Sequence, residues 1–397
     1  MSFNQTPRSN RIHIGVFGRT NSGKSSLINH ITHQEVSIVS PVAGTTTDPV
    51  YKAMEIHPLG PCVFIDTAGF QDQSELGKNR EEKTKQVIDK IDIALLLFED
   101  KNIQEEKKWY QILKTRHIPT ICLLSKTDIR KNVKDIQQYI QKNISDDILL
   151  VSTKNKQSID IVKEALMRKI PEDFGIQYIT GELVSKDDLV LLVMPQDIQA
   201  PKGRLILPQV QTLRELLDKK CIIMSTTTDQ YIHALQTLKY PPKLIITDSQ
   251  VFDYVYEHKP TESLLTSFSV LFAGYKGDIT YYKKGAKTIA SLQSDSHILI
   301  AECCTHAPLQ EDIGRVKIPR MLKNKYGIHH IDIVSGTDFP EDLSSYDLII
   351  QCGGCMFNRQ YILSRIERAK NQNVPMTNYG MTIAYIQNIL DKVSFND

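Results

Sequence analysis

Short runs of apolar residues alternate with helix-like stretches along the first 170 residues of the chain. Each run leads into a Gly, Asp or Ser, residue types that favour turns; the runs are RIHIGVFG, CVFIDTAG, IALLLFED, PTICLLSKTD and DILLVST. Apolar runs of this kind, separated by helices, are typical of strands buried on both faces of a parallel sheet. The pattern therefore predicts an α/β domain in which helices cross over between parallel strands.

The alternation breaks at 170–181, where Pro and Gly interrupt the pattern in IPEDFGIQYITG. Beyond this break, DLVLLVMP, CIIMS and PKLIITDS are predicted strands of a smaller unit, with a helix at LPQVQTLRELLDKK. SVLFAGY, HILIAEC, HHIDIVSG and YDLIIQC are predicted strands of a third unit, and NRQYILSRIERAKNQ has the spacing of an amphipathic helix. We therefore predict three α/β domains with mainly parallel sheets, at 8–170, 176–262 and 263–397.

Composition narrows the classes of function. The 48 basic and 46 acidic residues leave a net charge of +2, whereas dedicated nucleic-acid binders usually carry a strong basic excess, so we predict no nucleic-acid partner. No apolar run approaches the roughly 20 residues of a membrane helix, and the polar first residues lack the apolar segment of a signal peptide. We expect a cytoplasmic protein without a membrane partner.

The stretch GRTNSGKSS, which starts at Gly18, fits the phosphate-binding pattern GxxxxGKS and lies between a predicted strand and a predicted helix. We call residues 18–25 the P-loop. In such a loop the backbone amides turn towards the phosphates, Lys24 reaches the β- and γ-phosphates, and Ser25 binds Mg²⁺. The predicted nucleotide-binding residues of this stretch are Gly18, Asn21, Ser22, Gly23, Lys24, Ser25 and Ser26.

Two further stretches are typical of switch segments. In DTAG, Asp66 is placed to hold the Mg²⁺ shell, and the backbone amide of Gly69 is placed to sense the γ-phosphate. GTTTD lies between the first predicted helix and that strand, and we predict Thr46 as the Mg²⁺ ligand, with Thr45 as the second candidate. Lys24, Thr46 and Gly69 are therefore the predicted catalytic groups.

The stretches SKTD and VST predict a guanine site. The carboxylate of Asp128 accepts two hydrogen bonds from guanine that adenine does not offer, Lys126 covers the base, and Ser152 and Thr153 lie where a loop touches the guanine oxygen. These are the motifs of a P-loop GTPase domain that binds GTP and Mg²⁺. The usual first residue of the guanine motif is Asn, and Ser125 stands there, so guanine affinity is expected to be weaker.

Catalysis is expected to be slow. Phe70 follows DTAG where many GTPases have the glutamine that orients water, and an unassisted site turns over at roughly 10⁻⁴ per second. Asn21 resembles the asparagine that coordinates potassium in the Era/TrmE-like GTPases, in which K⁺ takes the place of an arginine finger. This resemblance implies a potassium-activated GTPase.

Four of the seven cysteines are clustered in two pairs. Cys303 and Cys304 end one predicted strand, and Cys352 and Cys355 follow another, so Cys304 and the second pair should meet at the carboxyl edge of a parallel sheet. The spacing alone leaves structural zinc and an iron–sulfur cluster equally open. His306 is either a further ligand or an ordinary strand-end histidine. The other three cysteines lie in apolar runs and are predicted to pack in the core: Cys62, Cys122 and Cys221.

A GTPase domain followed by DLVLLVMPQDIQAPKGRLILPQVQTLRELLD, then by CxH and CxxC, resembles the HydF family of FeFe-hydrogenase maturation GTPases over nearly the whole chain. The resemblance implies a dimerisation domain, a 4Fe-4S cluster on three cysteines with an exchangeable fourth position, and a homodimer or tetramer. It also implies a scaffold or carrier for the two-iron subcluster that works with radical-SAM maturases and apo FeFe-hydrogenase.

By position, Cys304, Cys352 and Cys355 match the family's cluster thiolates, and His306 matches the histidine of CxH. Gln351 stands where the family often has histidine, which favours an open or weakly held iron site. Two alternatives remain: an RNA- or ribosome-associated Era/TrmE-like GTPase with a structural zinc site, and a signalling switch whose tail is only an interaction domain.

Overall fold

The computed structural model describes residues 7–32, 49–56, 59–67, 84–170, 177–195, 205–303 and 312–396. It divides into two compact units, Met1–Gly175 and Ile176–Asp397. Several predicted site residues lie outside the described residues: Thr45, Thr46, Gly69, Phe70, Cys304 and His306.

The first unit is built on a six-stranded sheet in the order β2-β3-β1-β4-β5-β6. Its strands are β1 (Ile12–Phe17), β2 (Val50–Ile56), β3 (Gly60–Asp66), β4 (Ile93–Phe98), β5 (Thr120–Leu124) and β6 (Ile148–Leu150). The β2–β3 pair is antiparallel and every other pair is parallel. Its helices are α1 (Lys24–Thr32), α2 (Gln104–Thr115), α3 (Val133–Asn143) and α4 (Lys156–Lys169).

Helices cover both faces of this sheet, which explains its apolar strands. Every residue of β1 and β4 is buried. Side chains of α1 and α4 pack against one face, and those of α2 and α3 pack against the other. The five strands predicted from apolar runs are confirmed. Strand β2 was missed because it lies at the sheet edge and alternates between exposed and half-buried residues, so it contains no continuous apolar run.

The second unit contains two four-stranded sheets, with orders β10-β9-β7-β8 and β12-β11-β13-β14, and all their pairings are parallel. The first has strands β7 (Leu189–Val193), β8 (Ile222–Thr226), β9 (Leu244–Thr247) and β10 (Leu264–Ser267). The second has strands β11 (His297–Ala301), β12 (His330–Val334), β13 (Leu348–Gln351) and β14 (Met376–Asn378). One apolar core contains residues of both sheets, such as Leu191 and Leu299.

The helices of this unit complete the α/β pattern. They are α5 (Leu207–Asp218), α6 (Tyr231–Thr237), α7 (Phe252–His258), α8 (Phe268–Lys276), α9 (Ile279–Lys287), α10 (Ile318–Tyr326), α11 (Arg359–Asn371) and α12 (Tyr379–Ile386). The predicted α/β fold class with mainly parallel sheets is confirmed. Among the described residues, no helix is long and apolar enough to cross a membrane.

One predicted strand is wrong. SVLFAGY (residues 269–275) lies in helix α8, and the strand β10 precedes it at Leu264–Ser267. The Ser267 side chain accepts a hydrogen bond from the backbone amide of Val270 and so caps the helix start. A short apolar run does not distinguish a buried strand from a buried helix, which is why the pattern misled.

The β10-β9-β7-β8 sheet uses residues on both sides of the boundary predicted at 262, because β10 pairs with β9. The division into 8–170, 176–262 and 263–397 stays a prediction. The prediction of core packing for Cys62, Cys122 and Cys221 is confirmed, since all three are buried. Cys303 is buried as well.

Candidate functional site

The P-loop follows β1 and leads into α1, as the motif predicts. Gly23 has φ +95°, a conformation that other residues rarely adopt. At Gly18, φ is +153°, and an added Cβ would lie 2.7 Å from Oγ of Ser22. Glycines at these two positions therefore let the loop curl tightly enough to direct its backbone amides inwards.

Lys24 is held within its own loop. Its Nζ donates hydrogen bonds to the backbone oxygens of Gly18 and Arg19, each at 2.9 Å, and only 7% of the residue is exposed. Burial lowers the pKa of Lys24 to about 8, and the nearby charge of Asp66 partly opposes that shift. The ammonium is therefore preorganised beside the loop that would receive phosphates, with neutral carbonyls as its partners.

Ser25 and Asp66, the predicted Mg²⁺ residues, lie side by side. The Ser25 hydroxyl donates to Oδ2 of Asp66 at 2.6 Å. Oδ1 of Asp66 is buried and has no hydrogen-bond partner within the described part of the chain. A hydroxyl and a carboxylate with an unsatisfied oxygen are hard oxygen donors of the kind that Mg²⁺ prefers, so these residues fit that ion.

A shallow pocket joins the phosphate and base motifs. Residues of the predicted site that line it are Ser22, Gly23, Ser26, Lys126 and Thr153. These five residues come from distant parts of the sequence and thus share one concave surface. The other predicted nucleotide residues do not line it, and Asn21 is exposed with φ 65°.

Ser125, which replaces the usual asparagine, connects the base motif to the P-loop. Its hydroxyl lies 2.9 Å from the backbone oxygen of Ser22 and 3.1 Å from that of Phe98. The shorter side chain therefore still joins the two motifs, although it has no amide group to offer the base.

Asp128, which does not line the pocket, is held in its charged form by its neighbours. Hydrogen bonds from Ser152 and Lys154 lower the pKa of its carboxyl, and Lys154 Nζ lies 3.2 Å from Oδ2. Lys126 Nζ is 3.3 Å from Oε2 of Glu99, which orients its side chain. The two side chains predicted to recognise guanine therefore each have an oppositely charged partner within the protein.

Arg19 is a structural residue of this site that the sequence pattern did not reveal. Its Nε donates to Oε1 of the fully buried Glu106 at 2.7 Å, and its Nη2 donates to Oδ1 of Asp100 at 2.8 Å. These carboxylates lie more than 80 residues away, so no local signal could have identified the pairing. The network ties the P-loop to helix α2.

Cys303 and Cys352 lie at a common sheet edge of the second unit. Strands β11 and β13 are neighbours, with Ala301 opposite Gln351, so the residues after both strands emerge together. The backbone amide of Cys303 donates to Sγ of Cys352 at 3.1 Å. A side-chain hydrogen bond from the Cys303 thiol lowers the pKa of the Cys352 thiol, whereas burial raises the pKa of Cys303 well above its ordinary value. Cys352 is therefore the readier thiolate of the two.

Gln351 is fully buried and faces sulfur through its amide nitrogen. Nε2 lies 3.2 Å from Sγ of Cys303 and 3.7 Å from Sγ of Cys352. Its Oε1 accepts a hydrogen bond from Nη1 of Arg365 at 3.0 Å, which determines which end of the amide points to the thiols. Gln351 is therefore placed as an N–H donor to sulfur and not as a metal ligand.

The donor chemistry of this edge fits an iron–sulfur cluster. Cys352 and Cys355 border it, Cys304 is the next residue after the described Cys303, and N–H groups face the sulfurs as they do around thiolate-bound clusters. Within the described ranges, no group of three or more His, Cys, Asp or Glu side chains is arranged to hold a metal, and the predicted Cys304 and His306 lie outside those ranges.

The first unit, with its P-loop, Mg²⁺ residues and guanine motif, defines a P-loop GTPase domain, and two parallel sheets follow it. Three family models match the chain: a 50S ribosome-binding GTPase over 13–126, the hydrogen maturase F dimerization domain over 179–277 and the hydrogen maturase F tetramerization domain over 280–394. The two maturase models together cover more than half of the chain. The chain belongs to the hydrogen maturase F (HydF) family.

Curated relatives match the GTPase domain. GTPase Der from Wolinella succinogenes is 32% identical over 174 residues, which are 41% of this chain and 37% of that protein. The tRNA modification GTPase MnmE from Lactococcus lactis is 30% identical over 177 residues, or 44% of this chain and 36% of the relative. GTPase Era from Borrelia garinii is 32% identical over 166 residues, which are 40% of this chain and 56% of that protein. The chain thus spans about a third to a half of these relatives' length.

Solved structures give more distant matches. A variant of Era from Aquifex aeolicus bound to GDP and AlF4⁻ is 20% identical, with a TM-score of 0.36, over 54% of this chain and 92% of that one. A probable GTP-binding protein engB is 24% identical, with a TM-score of 0.34, over 40% of this chain and 98% of that one.

Proposed function

We propose that this chain is a GTPase that also serves as an iron–sulfur scaffold, assembling or carrying the two-iron subcluster of FeFe-hydrogenase and delivering it to the apo-hydrogenase. The observation that carries this proposal is the junction of β11 and β13, where the residues after Ala301 and Gln351 bring cysteines to one sheet edge in a HydF-family chain. We assign GTP binding to the predicted domain 8–170, dimerisation to 176–262 and binding of the 4Fe-4S cluster to 263–397.

In the nucleotide domain, Lys24 exchanges its bonds to Gly18 and Arg19 for the β- and γ-phosphates of GTP. Ser25, Asp66 and Thr46 hold Mg²⁺, which neutralises charge on the phosphates. Asp128, Lys126, Ser152 and Thr153 select guanine. The amide of Gly69 senses the γ-phosphate, so loss of that phosphate releases its loop and the Thr46 loop together.

Hydrolysis is slow and activated by potassium. Asn21 protrudes from the P-loop in a left-handed conformation, exposed beside the pocket. An exposed amide oxygen at this position suits K⁺, whose charge would substitute for an arginine finger near the transferred phosphate.

In the third domain, Cys304, Cys352 and Cys355 hold the 4Fe-4S cluster, and His306 is a further candidate ligand. Gln351 is not the fourth ligand, because its amide oxygen accepts from Arg365 and its nitrogen faces sulfur. A cluster held by these three cysteines would have its fourth iron open to exchangeable groups, and that iron would supply the attachment point for cargo.

The partners are other copies of the chain, the radical-SAM maturases and apo FeFe-hydrogenase. Self-association follows from the dimerization and tetramerization domains that the family models match. We propose a homodimer as the basic assembly, with a tetramer as its further association, in the cytoplasm.

Anaerobic reconstitution with iron and sulfide tests the scaffold. Wild-type protein should turn brown, absorb near 400 nm and give an electron paramagnetic resonance signal after reduction. Cys352→Ser and Cys355→Ser should lose most of the iron while retaining GTP turnover. Cys221→Ser is the matched control, since this thiol packs in the other sheet of the unit. Iron retained in the first two variants, or lost equally in all three, contradicts the proposal.

A second candidate is a ribosome-associated GTPase with a structural zinc site, because the first family model describes a 50S ribosome-binding GTPase. The net charge of +2 argues against an RNA-binding surface of the usual strength. A colourless protein with one zinc per chain, which co-sediments with 50S particles only in the presence of GTP, would favour this candidate over the scaffold.

A further inference from the structure

Lys276 is a buried lysine outside every predicted site. It is the last residue of helix α8, and only 2% of it is exposed. Nζ lies 3.0 Å from the backbone oxygen of Gly354, 3.3 Å from that of Cys355 and 2.7 Å from that of Phe357. An ammonium has three protons to donate, and three carbonyls surround this one.

All three carbonyls belong to one segment, residues 352–357, which we call the cysteine loop. It connects β13 to α11 and contains Cys352 and Cys355. Two backbone hydrogen bonds position this loop: the amide of Cys352 donates to Ala301, and the amide of Phe357 donates to Gly354. The three bonds from Lys276 add an external donor that fixes the direction of the peptide groups of Gly354, Cys355 and Phe357.

Burying an ammonium is costly unless its surroundings compensate the charge. Here the compensation consists of the three carbonyls and the ring of Phe272, whose centroid lies 5.7 Å from Nζ. If this position only needed an apolar side chain to fill space, methionine or leucine would serve equally well. The arrangement therefore indicates that the positive charge itself has a role beside the cysteines.

Lys276 and the loop it binds fall within the matches of two different family models. Lys276 falls within 179–277, which matches the dimerization model, whereas the cysteine loop falls within 280–394, which matches the tetramerization model. The hydrogen bonds of one side chain thus join the two segments at the thiols.

We propose that Lys276 is a positioning residue for the Cys352–Cys355 pair, because its ammonium fixes the cysteine loop that presents both thiols. The fixed loop is a property of the metal-free protein. The consequence for iron rests on the proposed scaffold function: a loop that is already shaped binds the cluster without first being ordered, and the buried cation offsets the negative charge of the thiolates.

Lys276→Met tests this inference, because methionine keeps the length and apolar stem but removes the charge and all three donors. Lys259→Met is the matched control. Nζ of Lys259 also faces three backbone oxygens, those of Pro260 at 3.0 Å, Thr261 at 3.4 Å and Ser263 at 2.8 Å, but on the loop before β10. Each variant is compared in full-length, metal-free protein.

The readout is the alkylation rate of each thiol, measured by mass spectrometry, with Cys221 as the reference within the same molecule. We expect Cys352 and Cys355 to react roughly tenfold faster in Lys276→Met, because a loop released from its anchor opens more often, and this gain outweighs the smaller thiolate fraction left by loss of the ammonium. Cys221 should keep its rate in both variants. Unchanged rates at Cys352 and Cys355 in folded Lys276→Met overturn the inference.

If Lys276→Met does not fold, Lys276→Arg provides the test. A planar guanidinium keeps the charge but cannot direct three donors to one point, so faster alkylation of both thiols is still expected, and wild-type rates contradict the inference. Iron content after reconstitution then separates the two claims. Wild-type protein that binds no iron refutes the scaffold but not the anchor, while normal iron with unchanged thiol rates refutes only the anchor.

Discussion

Two buried lysines, Lys24 and Lys276, show how the same group serves opposite purposes in two regions of the molecule. Burial lowers the pKa of each to about 8, and each donates to loop carbonyls. Lys24 binds carbonyls of its own P-loop, five and six residues away, whereas Lys276 binds a loop nearly 80 residues further along the chain. The first arrangement is suited to exchange its partners when phosphate arrives. The second holds separate segments together.

The largest expected effect comes from removing Lys24, the lysine that exchanges its carbonyl partners for phosphate. Lys24→Ala should lower GTP turnover by about 10²–10³-fold, because it removes a preorganised cation from the phosphate site. The iron content after reconstitution should not change. Phosphate release and iron analysis on one preparation measure both. Loss of iron in Lys24→Ala would show that the two regions do not act separately.

The second-largest expected effect is that of the monovalent cation, which should change GTP turnover at the P-loop but not the reactivity of the cysteine loop. Exchanging sodium for potassium should raise GTP turnover by about tenfold or more, since a cation near the transferred phosphate replaces an arginine finger. Asn21→Ala should abolish the difference and serves as the control. The rates of cysteine alkylation should be the same in both salts. Equal turnover in sodium and potassium would exclude potassium activation.

Nucleotide affinity should depend on pH through Lys24. In the free protein the ammonium loses its proton as pH rises through about 8, whereas bound phosphates favour the charged form. GTP affinity should therefore be full below pH 8 and fall above it, approaching tenfold per pH unit. Titration with a fluorescent GTP analogue between pH 7 and 9 measures this. Lys24→Ala should bind weakly at every pH, and an equally steep fall in that variant would assign the effect to another group.

The smallest expected effect concerns Gln351. Gln351→Glu keeps the length and the partner Arg365 but replaces the N–H that faces Cys303 and Cys352. The reconstituted protein should retain its iron and show a more negative reduction potential, because fewer N–H groups face the sulfurs. Gln372→Glu, whose amide bonds Leu343 and Glu341, is the control for added charge. Loss of iron in Gln351→Glu alone would contradict the expectation that the Gln351 amide tunes the cluster without being needed to hold it.

Local motifs made much of the nucleotide region predictable. The P-loop, Asp66 and the guanine motif each consist of a few consecutive residues after an apolar strand, so both their chemistry and their sheet edge could be anticipated. The lining of one pocket by Ser22, Ser26 and Lys126 agrees with that expectation. Arg19 could not be anticipated, because its partners Glu106 and Asp100 are distant in sequence.

The cysteine region was less predictable for a physical reason. The ends of β11 and β13 followed from apolar runs, but Lys276 lies at the end of a helix that was predicted as a strand. An apolar run of seven residues has no period that distinguishes the two structures. The pairing of Gln351 with Arg365, and of Lys276 with the cysteine loop, depends on tertiary packing that no short pattern records.

The anchor at Lys276 affects how this chain can be divided. A fragment that starts at residue 280 would contain both cysteines of the loop and the strands that precede them, yet it would lack the side chain that shapes them. Transplanting that fragment into another protein would therefore transfer the thiols without their geometry. Gene fusions or engineered chimaeras that keep a working cluster should retain helix α8 together with everything that follows it.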